Sequence, residues 1–362
     1  MRLDMWQEGY MQLTAGIIGC GNVARFHFAG LKKAGVRLKW VCDINEDVAK
    51  PWANEFQADV TTDYKTVLAD PEVQFVTITA DSSTHRKLCL DAIDAGKSVI
   101  CEKTLAENPD DSFEIVARAR DRGVILYTSY MKRFIPAVQK ARELLPRVGR
   151  IISTHARTYQ CWGDLWHGVP RNGFFGIPTS GVSRIRRSYG GGILYCGGSH
   201  ILDLVCWLLG RPNRAYASIV KPDGFDYELH VAALLETNNG AVHFDALAHP
   251  FNRIGFLRDG WDERIEIIGS DGRLEILSAQ WDQYDVKSSR LTHYDQQSGN
   301  ETVFMFDPVS PFERAVCFFC EHIAQGVQGS QEITTGYDVD ELIAHMIKSM
   351  EQRRPLDIHW RI

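Results

Sequence analysis

The sequence lacks long uniform stretches, whether apolar or of one charge sign. It holds no run of about 18 apolar residues that would span a bilayer, and its first residues have no apolar core typical of a signal peptide. Charges of both signs are interspersed, and the formal net charge is −6. Because a polyanion needs a surface of clustered positive charge, these features argue against nucleic acid as a partner. We therefore expect a cytoplasmic protein that binds neither membranes nor nucleic acids.

Paired cysteine motifs are also missing. The nine cysteines are scattered and mostly lie within apolar runs, which is typical of reduced and buried thiols. Cys317 and Cys320 form a single C-x-x-C, but it lies in a helical pattern and no second pair accompanies it. The sequence therefore predicts neither disulfide bonds nor a metal site.

What the chain does contain is the composition of a globular protein with more than one domain. Its 362 residues are 44% hydrophobic and 24% charged, and domains usually hold about 100–200 residues. No internal repeat, low-complexity tract or flexible linker separates its parts. We predict a first domain over residues 1–133, with 1–12 as an N-terminal extension. The second domain covers residues 134–362, and its C-terminal helix and tail pack back toward the first.

The first domain alternates strands with helices. The β-branched run at residues 73–80, VQFVTITA, is typical of a strand covered on both faces. A periodic helix over residues 83–95 then leads to the next buried strand at 97–102. This alternation predicts an α/β domain with a doubly wound parallel sheet, the Rossmann architecture.

A glycine turn at residues 19–24, GCGNVA, links the first strand to the first helix. Gly19 suits a tight turn, Gly21 lets the backbone approach a pyrophosphate, and the start of the helix faces the phosphates. Asp43 ends the second strand, where an acid usually holds the ribose hydroxyls and disfavours a 2′-phosphate. These positions predict an NAD site; the alternative is a glycine turn that binds nothing.

From about residue 151 alternating strands dominate and helices become few. Six stretches alternate apolar and polar residues, and the last two are joined by the turn Ser270-Asp271-Gly272. Helices are predicted at residues 199–209, 311–326 and 337–353. The second domain is therefore predicted to be α+β, with a large, open and mostly antiparallel sheet. An uncovered face of such a sheet would expose an apolar patch that favours association.

Several segments together resemble the glucose-fructose oxidoreductase, inositol dehydrogenase and rhizopine catabolism family (Gfo/Idh/MocA). They are the glycine turn, residues 79–85 (TADSSTH), 101–105 (CEKTL), 190–203 (GGGILYCGGSHILD) and 334–358. The resemblance implies NAD as cofactor and a homodimer or homotetramer formed through the open sheet. It also implies cofactor contacts from Gly19, Gly21, Asn22, Val23, Asp43, Ala80, His85, Glu102 and Lys103.

The catalytic residues that the resemblance implies are altered at two positions. Lys103 would lie beside the nicotinamide and polarise the reacting oxygen, but Thr104 stands where the family has proline. His200 would accept the substrate proton, yet Cys196 replaces the aspartate four residues before it. We place His200 near a helix start, where the dipole favours the neutral ring, and expect Asp203 to orient that ring. Cys196 is either a small substitute or the mark of an altered reaction or lost activity.

The segment 159–189 is long, glycine-rich, aromatic and basic, which is typical of a loop that selects a substrate. Its candidate contacts with a sugar, carboxylate or phosphate are Trp162, Trp166, His167, Arg171, Arg184 and Arg186. A surface loop or a subunit contact is the alternative. Arg133, which follows the sixth strand, would either contact substrate or hold the domain junction.

The sequence thus predicts an NAD-dependent dehydrogenase acting on a secondary hydroxyl of a sugar, glycoside or cyclitol, with Lys103 and His200 as its main catalytic groups. Two alternatives stay open. One is a redox-neutral glycosidase or lyase of the same family, which returns the hydride and accumulates no NADH. The other is a dinucleotide-binding sensor without chemistry, which the departures at Thr104 and Cys196 keep open.

Overall fold

The computed structural model of the chain describes residues 13–167, 169–170, 191–223 and 227–362. Contacts divide the chain into two compact units. The first contains the described residues up to Leu105, Asp110–Ser129 and Phe312–Thr335, and the second contains those of Ala106–Pro109, Tyr130–Pro311 and Gly336–Ile362. The units therefore interleave along the chain, whereas the sequence analysis drew one boundary after residue 133.

A six-stranded parallel sheet forms the centre of the first unit, in the order β3-β2-β1-β4-β5-β6. Its strands are β1 (Thr14–Ile18), β2 (Arg37–Cys42), β3 (Asp59–Thr61), β4 (Phe75–Ile78), β5 (Ser98–Cys101) and β6 (Leu126–Thr128). β1 and β4 are buried along their whole length, as expected for a sheet with helices on both faces. The order reverses between β1 and β4, which marks the crevice where such sheets bind ligands. The predicted Rossmann domain is confirmed.

The α-helices of the chain differ in how their first turns are capped. In the described residues the α-helices are α1 (Ala24–Lys33), α2 (Glu46–Phe56), α3 (Tyr64–Ala69), α4 (Ser82–Asp94), α5 (Pro109–Arg122), α6 (Pro136–Leu144), α7 (Ser199–Leu209), α8 (Pro311–Gln325) and α9 (Thr335–Gln352). Asn45, Asp63 and Asp81 each accept a hydrogen bond from the backbone N–H two residues on, and so begin α2, α3 and α4. Val23 precedes α1 without any side-chain cap, and the first turn of α1 holds no acid.

Helix α8 packs within the first unit. Phe312 stacks on Phe26 of α1 with ring centroids 4.7 Å apart. Val316 occupies the space above Gly30, where a Cβ atom would come within 2.6 Å of it. These contacts explain why this late segment of the chain groups with the Rossmann sheet. Cys320 of the C-x-x-C pair, on the same helix, is buried.

Most of the cysteines are buried, which confirms the prediction of their burial. In the described part of the chain, no helix has both the length and the apolarity to cross a membrane. The same residues hold no group of three His, Cys, Asp or Glu side chains arranged to hold a metal ion.

A nine-stranded sheet forms the centre of the second unit, in the order β16-β15-β14-β13-β7-β12-β11-β10-β17. Its strands are β7 (Ile151–Cys161), β10 (Arg214–Val220), β11 (His230–Thr237), β12 (Gly240–His249), β13 (Trp261–Gly269), β14 (Gly272–Ser278), β15 (Arg290–Asp295), β16 (Glu301–Met305) and β17 (Leu356–Asp357). A small separate pair joins β8 (Gly163–Asp164) to β9 (Val169–Pro170). β7 and β12 are parallel and the other neighbours in the large sheet are antiparallel. The predicted mostly antiparallel sheet is confirmed, while β15, β16 and β17 were not anticipated.

The two faces of this sheet differ. Along β10, Ala215 and Ala217 are buried while Tyr216 between them is 43% exposed. The buried face shares one apolar core with α6, α7 and α9. The other face, here called the open face, carries a row of paired residues across five strands: Tyr216, Leu234, His243, His155 and Glu266.

Candidate functional site

The turn between β1 and α1 has the geometry that a dinucleotide needs. Gly19 has φ +94°, and a Cβ atom there would come within 2.5 Å of the Ala80 nitrogen, so only glycine fits. At Gly21 a Cβ atom would meet no heavy atom within 4 Å. Asn22 and Val23 complete the turn, and the uncapped start of α1 follows. A helix start without a side-chain cap presents the positive end of the helix dipole, which fits a pyrophosphate.

Asp43 lies beside this turn. Its Oδ2 accepts a hydrogen bond of 2.7 Å from the Cys20 backbone N–H, and its Oδ1 accepts one of 2.9 Å from the Asn45 N–H. The carboxylate is therefore fixed between the turn and the loop after β2. Burial, with Asp43 nearby, raises the pKa of Cys20 to about 12, so this thiol stays protonated at neutral pH. The residues present fit an adenosine ribose with free hydroxyls.

Glu102 is an internal residue of the first unit. It is 6% exposed, and its Oε1 lies 2.7 Å from Nε2 of the fully buried His27 on α1. Burial acts to raise the pKa of Glu102, but the hydrogen bond and charge of His27 outweigh it, so the pKa is lowered. The pair ties the carboxyl end of β5 to α1. The predicted cofactor residue thus has a protein partner that the sequence analysis missed.

His85 and Ala80 support the loop that carries Lys103. The His85 ring is 1% exposed, with Nδ1 2.8 Å from the Thr104 carbonyl oxygen and Nε2 3.1 Å from the Ala80 carbonyl oxygen. Burial lowers the pKa of His85. A neutral ring has one N–H, which favours donation to Thr104 at the shorter distance. The peptide between Lys103 and Thr104 is cis.

Lys103 itself is partly exposed just beyond the end of β5. Its backbone N–H donates to Glu102 Oε2 at 3.2 Å. The lysine therefore stands at the carboxyl edge of the parallel sheet, where ligands of Rossmann domains bind.

In the second unit, His200 and Cys196 share one continuous helical path. Helix α7 has the predicted bounds, but a π-helical turn, Leu194–Gly198, runs directly into it. Gly198 already has helical dihedral angles, φ −61° and ψ −41°. His200 therefore does not lie at the positive end of the helix dipole, because that end is at the start of the π-turn. The predicted effect of the dipole on the charge of His200 is wrong. The His200 ring is 8% exposed and meets the ring of Tyr130 edge to face at 5.6 Å.

Asp203 pairs with Arg133. Nε of Arg133 lies 2.9 Å from Oδ2 and Nη2 lies 2.6 Å from Oδ1, and both side chains are almost fully buried. Burial raises the pKa of Asp203 to about 6, although Arg133 acts in the opposite direction. This bidentate pair fixes the guanidinium of Arg133, the predicted substrate residue.

The predicted substrate loop is described only in part. Trp162 is 2% exposed, and its indole N–H donates to Gln160 Oε1 at 2.9 Å, so its ring belongs to the interior rather than to a stacking surface. Trp166 is 37% exposed and donates to the Ala248 carbonyl oxygen at 3.2 Å. The His167 side chain is 80% exposed, with Nδ1 2.8 Å from Asp164. Arg171, Arg184 and Arg186 lie outside the described residues.

The second unit also contains a buried polar network that the sequence did not predict. Lys132 and Glu263, both 1% exposed, form an ion pair. Glu263 accepts a hydrogen bond of 3.1 Å from Thr158 Oγ1, which in turn accepts one of 2.9 Å from Gln160 Nε2. The network thereby reaches Trp162. No local motif signals it, because Lys132 and Glu263 are distant in sequence from each other and from Thr158 and Gln160 on β7.

Two family models match the chain. The model of the oxidoreductase family with an NAD-binding Rossmann fold matches residues 13–130, and that of the GFO/IDH/MocA C-terminal domain matches residues 138–275. The chain belongs to the GFO/IDH/MocA family of oxidoreductases. Its first unit is accordingly an NAD-binding Rossmann domain.

Named relatives agree with this membership. An inositol 2-dehydrogenase of Burkholderia multivorans is 36% identical over 275 residues, which are 72% of this chain and 73% of the relative. An inositol 2-dehydrogenase 2 of Saccharopolyspora erythraea is 28% identical over 283 residues, 74% of each chain. The solved structure of a levoglucosan dehydrogenase in complex with NADH and levoglucosan superposes with a TM-score of 0.81 at 20% identity, covering 97% of this chain and 100% of that one. At that identity the likeness supports the fold alone.

Proposed function

We propose that this oxidoreductase is an NAD-dependent dehydrogenase that oxidises a secondary hydroxyl of a sugar, glycoside or cyclitol. The observation that carries the proposal is the uncapped start of α1, which follows the turn at Gly21, together with the Asp43 carboxylate fixed beside that turn. The first feature favours the pyrophosphate. The second favours a ribose with free hydroxyls and repels a 2′-phosphate, and so supports NAD over NADP.

Lys103 and His200 are the proposed catalytic residues. When bound, NAD supplies the acceptor for the hydride of the alcohol carbon. Lys103 donates a hydrogen bond to the substrate oxygen and stabilises negative charge as it develops there. His200 accepts the hydroxyl proton, a task for which an imidazole is suited near neutral pH. Arg133 and Asp203, the latter on α7, pair with each other and act as positioning residues.

A polyhydroxylated ring is the proposed substrate class. The relatives named above are dehydrogenases of inositol and of levoglucosan, both of which carry secondary hydroxyls. The partly exposed Trp166 and the exposed His167 supply an aromatic face and a hydrogen-bonding group near the start of the proposed substrate loop.

Cys196 favours one second candidate, a dinucleotide-binding sensor that has lost the chemistry. The thiol stands in the π-turn where the family resemblance leads one to expect aspartate. A sensor would bind NADH and turn over no polyol. Restoring the carboxylate with Cys196→Asp would then create or raise turnover, whereas in a working dehydrogenase it would change turnover little.

The catalytic assignments are tested with Lys103→Met and His200→Ala. Each should lower kcat on the best polyol by at least about 10²-fold, the size typical of a lost general base or oxyanion donor. The exposed Lys348→Met and His359→Ala serve as matched controls that keep wild-type turnover. If neither active-site variant slows turnover, both assigned roles are wrong.

We also propose that copies of the chain associate through the open face. Tyr216 and Leu234 are 43% and 38% exposed and pair across β10 and β11, while the neighbouring His155 and His243 rings stack at 4.7 Å. Exposed apolar patches of this kind commonly mark protein interfaces. Leu234→Asp should shift the sedimentation coefficient toward that of a monomer, and Val286→Asp, at another exposed apolar residue, should not.

A further inference from the structure

Glu228 is a buried carboxylate that meets the start of the helical path carrying Cys196 and His200. The residue is 5% exposed, and its Oε1 accepts a hydrogen bond of 2.9 Å from the Leu194 backbone N–H. Its own carbonyl oxygen accepts one of 2.9 Å from the Ile193 N–H. Two N–H groups at the helix start are thus satisfied by one residue that lies far along the chain.

The chain is closely fitted at this contact. A Cβ atom at Gly192 would come within 2.0 Å of the Glu228 carbonyl oxygen. The two backbones are therefore so close that only glycine fits at position 192. A buried carboxylate is costly unless donors compensate it, and a helix start offers both N–H groups and a positive dipole end. Burial raises the pKa of Glu228, and the backbone N–H groups of Leu194 and Tyr195 act in the opposite direction without cancelling that rise.

Gln160 fits against the other end of the same π-turn. A Cβ atom at Gly197 would lie 2.1 Å from Gln160 Nε2. Gln160 is 2% exposed and is held by Thr158 and Trp162, so it is not free to move aside. The π-turn is therefore bounded at its start by Glu228 and near its end by Gln160. π-turns are rare and are often found at functional sites.

We propose that Glu228 is a positioning residue that fixes the π-turn Leu194–Gly198, with Gln160 as its counterpart, and thereby sets where Cys196 and His200 face. The inference rests on the proposed dehydrogenase function, because it gives that positioning a catalytic purpose. Glu228 touches neither substrate nor cofactor in this account. It acts through the backbone of the helix that it caps.

The test compares Glu228→Ala, Glu228→Gln and a matched control, Glu236→Ala, whose exposed carboxylate lies on the neighbouring strand β11. In Glu228→Ala we expect kcat to fall at least about tenfold, a loss of about 1.4 kcal/mol in transition-state stabilisation. NADH affinity, measured by fluorescence, should stay within about twofold, because the change lies in the second unit. Glu228→Gln keeps an acceptor oxygen and should recover a large part of kcat. Glu236→Ala should behave as the wild type.

Hydrogen–deuterium exchange supplies the readout that does not depend on activity. Peptides covering residues 191–200 should exchange faster in Glu228→Ala and not in Glu236→Ala, because the Leu194 N–H loses its acceptor. Unchanged exchange in that peptide would show that Glu228 does not fix the π-turn. Faster exchange with unchanged kcat would show that fixing the π-turn does not serve catalysis. Absence of turnover in the wild type overturns the proposed function. The exchange result then still decides whether Glu228 fixes the π-turn.

A second variant keeps the inference testable if Glu228→Ala does not fold. Gly197→Ala forces a methyl group against Gln160 and should displace the π-turn, which lowers kcat and speeds exchange over residues 191–200. Adding Gln160→Ala makes room for the methyl group and should restore slower exchange relative to the single variant. A double variant that exchanges as fast as Gly197→Ala would contradict the role of Gln160.

Discussion

Two helix starts in this molecule are finished in opposite ways. At α1 no side chain caps the backbone, the first turn holds no acid, and the space above Gly21 is empty of heavy atoms. At the π-turn ahead of α7 the protein supplies its own carboxylate, Glu228, and buries it. Both starts favour negative charge for the same electrostatic reason. The open start is suited to an external phosphate, whereas the filled start is suited to fixing side chains.

The comparison teaches how to separate a binding helix from a supporting one. α2, α3 and α4 resemble the filled case, since Asn45, Asp63 and Asp81 cap them with local side chains. α1 lacks such a cap although it lies in the same unit as α2, α3 and α4. A missing cap therefore indicates a phosphate site only when it is found beside features such as Gly19 and Asp43.

The largest effect should come from giving the open start a carboxylate. Gly21→Asp has room to fold, because a Cβ atom there meets nothing within 4 Å. Its charge would face the pyrophosphate, and like charges in contact cost several kcal/mol, so NADH affinity should fall at least about 10³-fold by fluorescence titration. Gly21→Ala is the control and should lose far less. Equal losses in the two variants would show that space, and not charge, matters at this start.

A smaller effect is expected on stability when α1 loses its tie to β5. His27→Ala leaves Glu102 buried without its partner, which should cost about 3 kcal/mol in the free energy of unfolding at pH 7, measured with urea. Because the folded pKa of Glu102 lies below its usual 4.5, the stabilisation from the pair is present above that pH and is lost as the pH falls through the folded pKa. The difference between variant and wild type should therefore shrink in acid.

The double variant His27→Ala/Glu102→Gln is the control for this stability effect. Without a charge to compensate, it should be more stable than His27→Ala alone at pH 7. A difference between His27→Ala and wild type that stays constant as the pH is lowered from 7 through the folded pKa of Glu102, below 4.5, would contradict the assigned linkage.

The smallest effect concerns the choice of dinucleotide. Asp43→Asn keeps an acceptor for the Cys20 N–H but removes the charge that repels a 2′-phosphate. The ratio of NADPH to NADH dissociation constants should fall about tenfold, the value of one charge-assisted hydrogen bond. Asp47→Asn, whose side chain is 87% exposed at the start of α2, should leave the ratio unchanged. An unchanged ratio in Asp43→Asn would remove the basis for preferring NAD.

The first unit could be predicted in detail because its signals are local. Gly19, Gly21 and the strand that ends at Asp43 lie within one βαβ stretch, and spacing alone relates them. The strand β16 escaped prediction because it is an exposed edge strand with little alternation, and β15 has three consecutive buried residues instead of an alternating pattern. β17 has only two residues and pairs with β10 from the far end of the chain.

The candidate site of the second unit was less predictable because its side chains find distant partners. The sequence pattern predicted a helix over residues 199–209, but Glu228 accepts a hydrogen bond from the Leu194 N–H and the helical path begins earlier, at the π-turn. Trp162 looked available for stacking until Gln160 proved to be its partner. Asp203 met Arg133, 70 residues away. Such pairings follow from tertiary packing and leave no pattern in the sequence.

The most direct test of the central claim is a difference absorbance scan of the wild type and Gly21→Asp with NAD and a panel of inositols, free sugars, sugar acids and glycosides. We expect NADH to accumulate with one class of polyol in the wild type and not in Gly21→Asp. A wild type that binds NADH but forms none from any class would contradict the dehydrogenase. Product formed without NADH would then identify the redox-neutral reaction, and no product would identify the sensor.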